Sequence, residues 1–106
     1  RQIFIRDTRM FEPIDFEWDE TKAASNLQKH GVSFLTGARV FFDLSCVTWD
    51  VSRRVDNEQR FKVVGRVDGR LVTVVFTMRD EKCRLISARP ANTSEERIYG
   101  YRSLFS

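Results

Sequence analysis

The sequence predicts an α+β fold, with two N-terminal helices packed on a largely antiparallel β-sheet and a C-terminal helix. Three observations carry the prediction. Apolar residues recur at helical spacing between Asp19 and Phe42, the pattern alternates as in strands from Val47 to Ala88, and a helix-starting signature returns beyond Pro90. At 106 residues, 42% apolar and 31% charged, the chain suffices for one core and one domain. Residues 10–106 are assigned to that domain. Residues 1–9 show no periodic element and read as an extension ahead of a candidate start at Met10.

Ile14, Phe16 and Trp18 alternate, so a short strand is expected within residues 11–18. Asp19 is a suitable N-cap for a first helix, Glu20 favours its positive end, Ala23, Ala24 and Leu27 form its apolar stripe, and Gly31 ends it. Ser33 caps a second helix in which Phe34, Ala38 and Phe41 share a face. Gly37 weakens that helix by roughly 1 kcal/mol relative to alanine, so packing has to hold it. Strands are expected at Val47–Val51, Phe61–Val67, Leu71–Met78 and Arg84–Ala88. Asp68-Gly69 suits a type I′ hairpin turn, Arg79 to Lys82 make the next turn, and Val72, Val74, Phe76 and Met78 should face the core together. Pro90 should stop the last strand, and Thr93 with Glu96 has the spacing of a capping box for the last helix.

Composition narrows the function classes. No apolar run approaches the roughly 20 residues of a membrane span, and no secretion signal is visible, so a soluble cytoplasmic chain without membrane contact is expected. Two cysteines and one histidine are too few for a structural zinc site, and a disulfide is improbable in a reducing compartment. Net charge is +3, but unevenly spread. Residues 1–50 hold 6 Lys/Arg against 8 Asp/Glu (−2), and residues 51–106 hold 12 against 7 (+5), with 10 of those 12 being arginine. Arginine's planar fork suits bidentate phosphate contact, which makes nucleic acid the first candidate partner and a merely solvated basic face the plain alternative.

Two groups of residues bear on chemistry. In the first helix Lys22, Asn26 and Lys29 recur at i, i+4 and i+7, with His30 four after Asn26, a polar ridge that can follow a phosphate backbone or simply face solvent. His30 is the only side chain whose reference pKa, about 6.5, lies near neutrality. It is a candidate general base or acid, and equally a cap for the helix C-terminus. The second group is Glu58 and Arg60 before one strand, Arg66 within it, and Arg84 and Arg89 bracketing the last. Residues 84 and 89 have opposite parity, so a bulge or bend is needed to put them on one face; otherwise they are exposed and pair with Glu95 or Glu96. A histidine, a carboxylate and several cations together make a metal-independent, cofactor-free set for RNA cleavage. The sequence has no dense carboxylate cluster for magnesium, no P-loop, no GxSxG and no GxGxxG.

The run FEWDETKAASNLQKHGVSF from Phe16 to Phe34, then Ala38, Phe41 and Asp43, Glu58-Gln59-Arg60, Gly65, RLVTVVFT, RLISARPA, and Glu96-Arg97 with Tyr99, resembles the BrnT family of bacterial toxins. The resemblance spans Met10 to about Tyr101. It implies a small RelE-like ribonuclease of a type II toxin–antitoxin module that cleaves RNA, blocks translation and arrests growth. It also implies neutralisation by a BrnA-type antitoxin, with operator DNA contacted only through the complex. Lys22, Asn26, Lys29 and His30 fall in the family's K-x-x-x-N-x-x-K-H-G block, Glu58 and Arg60 in its E-x-R segment, and Arg84 and Arg89 in its R-x-I-S-x-R strand. The roles so implied are phosphate stabilisation by Arg60 and Arg89, proton transfer by His30 or Glu58, and RNA binding by Lys22, Asn26, Lys29 and Arg84. The chain departs from the pattern at Leu35-Thr36, where acidic residues are expected, and at Pro90, where a basic residue is usual. The competing reading is a non-catalytic subunit that binds nucleic acid or serves only in a repressor complex.

Overall fold

The computed structural model describes residues 15–103; Met10, Ile14 and the proposed extension lie outside the described residues. The elements are β1 (Asp15–Glu17), α1 (Glu20–His30), α2 (Phe34–Arg39) running into a 3₁₀ turn (Val40–Phe42), β2 (Val47–Asp50), a 3₁₀ turn (Arg54–Asp56), β3 (Phe61–Val67), β4 (Arg70–Arg79), β5 (Lys82–Pro90) and α3 (Thr93–Ser103). The five strands form one sheet in the order β1-β5-β4-β3-β2. All neighbours are antiparallel except β1, which runs parallel to β5. The α+β class and its element order are therefore as the sequence predicts.

The local signals act as expected at most ends. The Asp19 carboxylate accepts the Lys22 N–H at 3.0 Å, and Gly31 closes α1 at φ 74°, in the left-handed region. The Ser33 hydroxyl accepts the Thr36 N–H at 3.0 Å and starts α2. Both tight turns of the meander have positive φ at their two central residues, 50° and 83° at Asp68 and Gly69, and 52° and 65° at Asp80 and Glu81. Gly37, unfavourable in an isolated helix, has a packing reason. A Cβ there would sit 3.1 Å from the Ala88 Cβ and 3.2 Å from Val74 Cγ2, so its absence lets α2 lie close on the sheet.

Alternation along the strands divides the core in two. One sheet face buries Val63, Val67, Val72, Val74, Phe76, Cys83, Leu85 and Ala88 with Phe34 of α2 and Val40 and Phe41 of the 3₁₀ turn that follows it, and Ala23 of α1 packs against this cluster. Met78 packs at the margin of this cluster, so the expected row of Val72, Val74, Phe76 and Met78 does face one core. The other face carries a smaller cluster of Val47, Val64 and Tyr99, where α3 packs on β2 and β3. Because α3 covers only that end, the rest of this second face is left to polar side chains.

Strand ends fall within one or two residues of expectation, and three local features differ from it. The second helix tightens to 3₁₀ geometry at Val40 instead of continuing as α to Phe42. The last strand does end at Pro90, but β5 includes it as its final residue, opposite Val72. Here β1 pairs only with residues 82–84, so one edge of β5 is unpaired where Pro90 stands and no strand needs the missing N–H. The capping box is Asn92 with Glu95, one residue earlier than Thr93 with Glu96. The Asn92 side chain accepts the Glu95 N–H at 2.8 Å and Glu95 accepts the Asn92 N–H at 2.9 Å.

Candidate active site

A bulge aligns the arginines of β5. In the β4–β5 ladder Phe76 pairs with Leu85 but Val75 pairs with Ser87, so Ile86 is an extra residue. The inserted residue reverses strand parity. Arg84, opposite Thr77, and Arg89, opposite Thr73, therefore point to the same side despite their odd separation. That side also holds Lys62 of β3, two residues from Val64 in the small cluster, and Arg60 by the same alternation.

Glu95 gathers this face around the start of α3. It is 2% exposed, and its carboxylate accepts five hydrogen bonds. Arg89 supplies two of them in a fork, Nη1 to Oε1 at 2.8 Å and Nη2 to Oε2 at 2.7 Å. Lys62 Nζ donates to Oε2 at 3.0 Å, and the Thr73 hydroxyl and the Asn92 N–H each donate to Oε1 at 2.9 Å. Burial pushes this carboxyl's pKa up, but the bonds from Arg89, Asn92, Lys62 and Thr73 outweigh it and hold the value at about 2. Lys62 also stands 5.9 Å from the centroid of the Trp49 ring on β2.

A second cluster lies at the other end of the same face. Glu58 contacts Arg60 through Oε2 at 3.3 Å and Arg79 through Oε1 at 3.4 Å. The Thr77 hydroxyl donates to the Gln59 carbonyl at 2.6 Å and ties the Glu58–Arg60 segment to β4. Arg84 pairs with Glu17 of β1 at 3.5 Å. Five cations (Arg60, Lys62, Arg79, Arg84, Arg89) thus meet four carboxylates (Glu17, Asp56, Glu58, Glu95), leaving this set a net +1. Such a surface suits a phosphate chain, and the carboxylates fix where its donors point.

The sequence-derived candidates divide between the two faces. Glu58, Arg60, Arg84 and Arg89 share the polar one. Lys22, Lys29 and His30 ride on α1, which packs against the apolar cluster through Ala23 and runs along the outer edge of β5 through Asn26; among the described residues no hydrogen bond or ion pair joins these three side chains to the arginines. Asn26 requires correction, because it is not part of an exposed ridge. It is buried, and its amide donates to the carbonyls of Val32 at 3.0 Å and Ala88 at 2.7 Å and accepts the Ala88 N–H at 3.2 Å. On the edge away from β4, β5 has no strand neighbour at Ala88, and Asn26 takes the place of one. Arg66 is directed to the α3 end, its guanidinium 5.5 Å from the Tyr99 ring centroid.

Sequence reasoning passed over Lys62, Thr73 and Arg79. All three interrupt apolar strands at alternate positions and so marked a polar face. Glu95 was noticed only as a possible ion-pair partner of the β5 arginines, although N-x-x-E beginning at Asn92 is itself a capping-box spacing. Among the described residues no three His, Cys, Asp or Glu side chains are grouped to hold a metal ion, and both cysteines are buried and unbridged. No helix among those residues is long and apolar enough to cross a membrane.

Fold and face together define a small α+β domain with a basic, carboxylate-pinned sheet surface, a form suited to gripping a polyanion. Residues 18–95 match the family model of the ribonuclease toxin BrnT of type II toxin–antitoxin systems. The chain belongs to this family and is a ribonuclease toxin whose counterpart is an antitoxin. Comparison with curated protein sequences found no significant match.

Proposed function

We propose that the chain is a metal-independent endoribonuclease that cuts transcripts in the cytoplasm, blocks translation and is neutralised by a BrnA-type antitoxin, with operator DNA reached only through that complex. The observation that carries this reading is the bulge in β5, which unites Arg84 and Arg89 with Arg60 and Lys62 on one open face.

On this reading the RNA backbone lies across the polar face. Glu58, between Arg60 and Arg79, accepts the proton of a 2′-hydroxyl, and the freed oxygen attacks the adjacent phosphorus. Arg60 and Arg89 stabilise the charge that builds on the phosphorane oxygens, while Arg84 binds a neighbouring phosphate. The bond to the 5′-oxygen breaks and water protonates that oxygen, giving a 2′,3′-cyclic phosphate and a 5′-hydroxyl. Of the two proton carriers considered from sequence, Glu58 is favoured over His30 because it shares a face with the arginines.

Induction in bacteria tests the reading. Growth arrest with cut transcripts is expected, and Arg60→Ala or Arg89→Ala should relieve arrest while the protein stays folded. Full toxicity of both variants contradicts the assigned roles. The carboxylates paired to each of these cations favour one second reading, a subunit that binds RNA without cutting it. A purified protein that binds RNA with steep salt dependence yet leaves it intact over hours supports that alternative.

A further inference from the structure

Arg89 divides its donors between Glu95 and the face above it. Nη1 donates to Glu95 Oε1 at 2.8 Å and to the Pro90 carbonyl at 3.2 Å, and Nη2 donates to Glu95 Oε2 at 2.7 Å. One Nη2 hydrogen and the Nε–H have no partner among the described residues. These two lie along the same edge of the guanidinium plane, and such an edge can bind two phosphate oxygens at once. The carboxylate that holds the other edge is itself fixed from β3 by Lys62, from β4 by Thr73 and from the start of α3 by Asn92.

We propose that Glu95 is a positioning residue for RNA cleavage: it grips the end-on fork of Arg89 and thereby aims the guanidinium's free side edge at the scissile phosphate, with Lys62 set beside it. The role rests on the ribonuclease reading given above. Glu95 does not touch the substrate. It acts by restricting a long side chain to one orientation, which favours a transition state more than a bound ground state. Its negative charge meanwhile opposes the binding of RNA to the face.

The two effects have opposite signs and can be read separately. Glu95→Gln keeps the size of the side chain and raises the net charge of the face by one. RNA affinity at low salt should hold or tighten, whereas kcat should fall on the order of 100-fold. A merely structural role would weaken both together. A double-mutant cycle supplies the second readout: in an Arg89→Ala background, Glu95→Gln should change kcat by less than about twofold. An undiminished loss in that background, or no loss in the wild-type background, overturns the proposal. Arg89→Ala protein that cleaves like wild type shows instead that the underlying assignment of Arg89 has failed. If Glu95→Gln does not fold, Thr73→Val removes only one of the five donors. A kcat loss of roughly fivefold that vanishes without Arg89 is then expected, and no loss overturns the proposal.

Discussion

Arg89 and Glu95, six residues apart across the turn from β5 to α3, meet in a two-pronged ion pair of 2.8 and 2.7 Å whose carboxylate is buried. The contact joins the last strand to the last helix and ties the fold to the proposed cleavage chemistry. Its strength makes stability depend on pH. The folded carboxyl has a pKa of about 2 against an ordinary 4.5, so it favours the folded state above the unfolded value and loses that contribution as pH falls toward 2. The difference amounts to roughly 3 kcal/mol. Urea unfolding between pH 6 and pH 2.5 should show a steep loss of stability, and Glu95→Gln should flatten it.

Asn26 gives a second prediction. Replacing it by alanine leaves the Ala88 N–H and the carbonyls of Ala88 and Val32 without their side-chain partner. Unfolding free energy should drop by roughly 2–4 kcal/mol. RNA affinity of the folded fraction should not change, and a selective loss of RNA binding at full stability would return Asn26 to the interface.

Gly65 on β3 gives a third. A Cβ there would stand 2.8 Å from Val40 Cγ1 and 2.9 Å from the Val40 carbonyl oxygen, a backbone atom that cannot rotate away. Gly65→Ala should therefore destabilise the fold by roughly 1–3 kcal/mol, measured as a lower denaturation midpoint with an unchanged slope.

The division of candidates between two sheet faces gives a fourth. Glu58→Gln should lower kcat by about 100-fold, and His30→Ala by less than about threefold. The opposite ranking would move the proton carrier to α1.

Much of the architecture was legible because the signals were local. Asp19, Gly31, Ser33 and the turn at Asp68-Gly69 act through bonds or dihedral angles within a few residues, and each marks a real boundary. What failed depends on distant neighbours. Asn26 looks like a surface residue until the outer edge of β5, the one away from β4, is seen to lack a strand at Ala88. Arg84 and Arg89 have opposite parity in sequence, and only the pairing of Val75 with Ser87 reveals the extra residue that unites them. Glu95 was equally hard to weigh, since its five donors come from three strands' worth of chain and the turn before α3.

The central claim is that the face carrying Arg60 and Arg89 cleaves RNA through the 2′-hydroxyl without a metal. The most direct measurement is incubation of the purified protein with single-stranded RNA in excess EDTA, followed by analysis of the new ends. The account predicts 2′,3′-cyclic phosphate and 5′-hydroxyl ends, with a rate lowered by about 100-fold or more in Arg60→Ala and Arg89→Ala. RNA left intact in EDTA but cut when magnesium is restored, or ends bearing a 5′-phosphate, would contradict it.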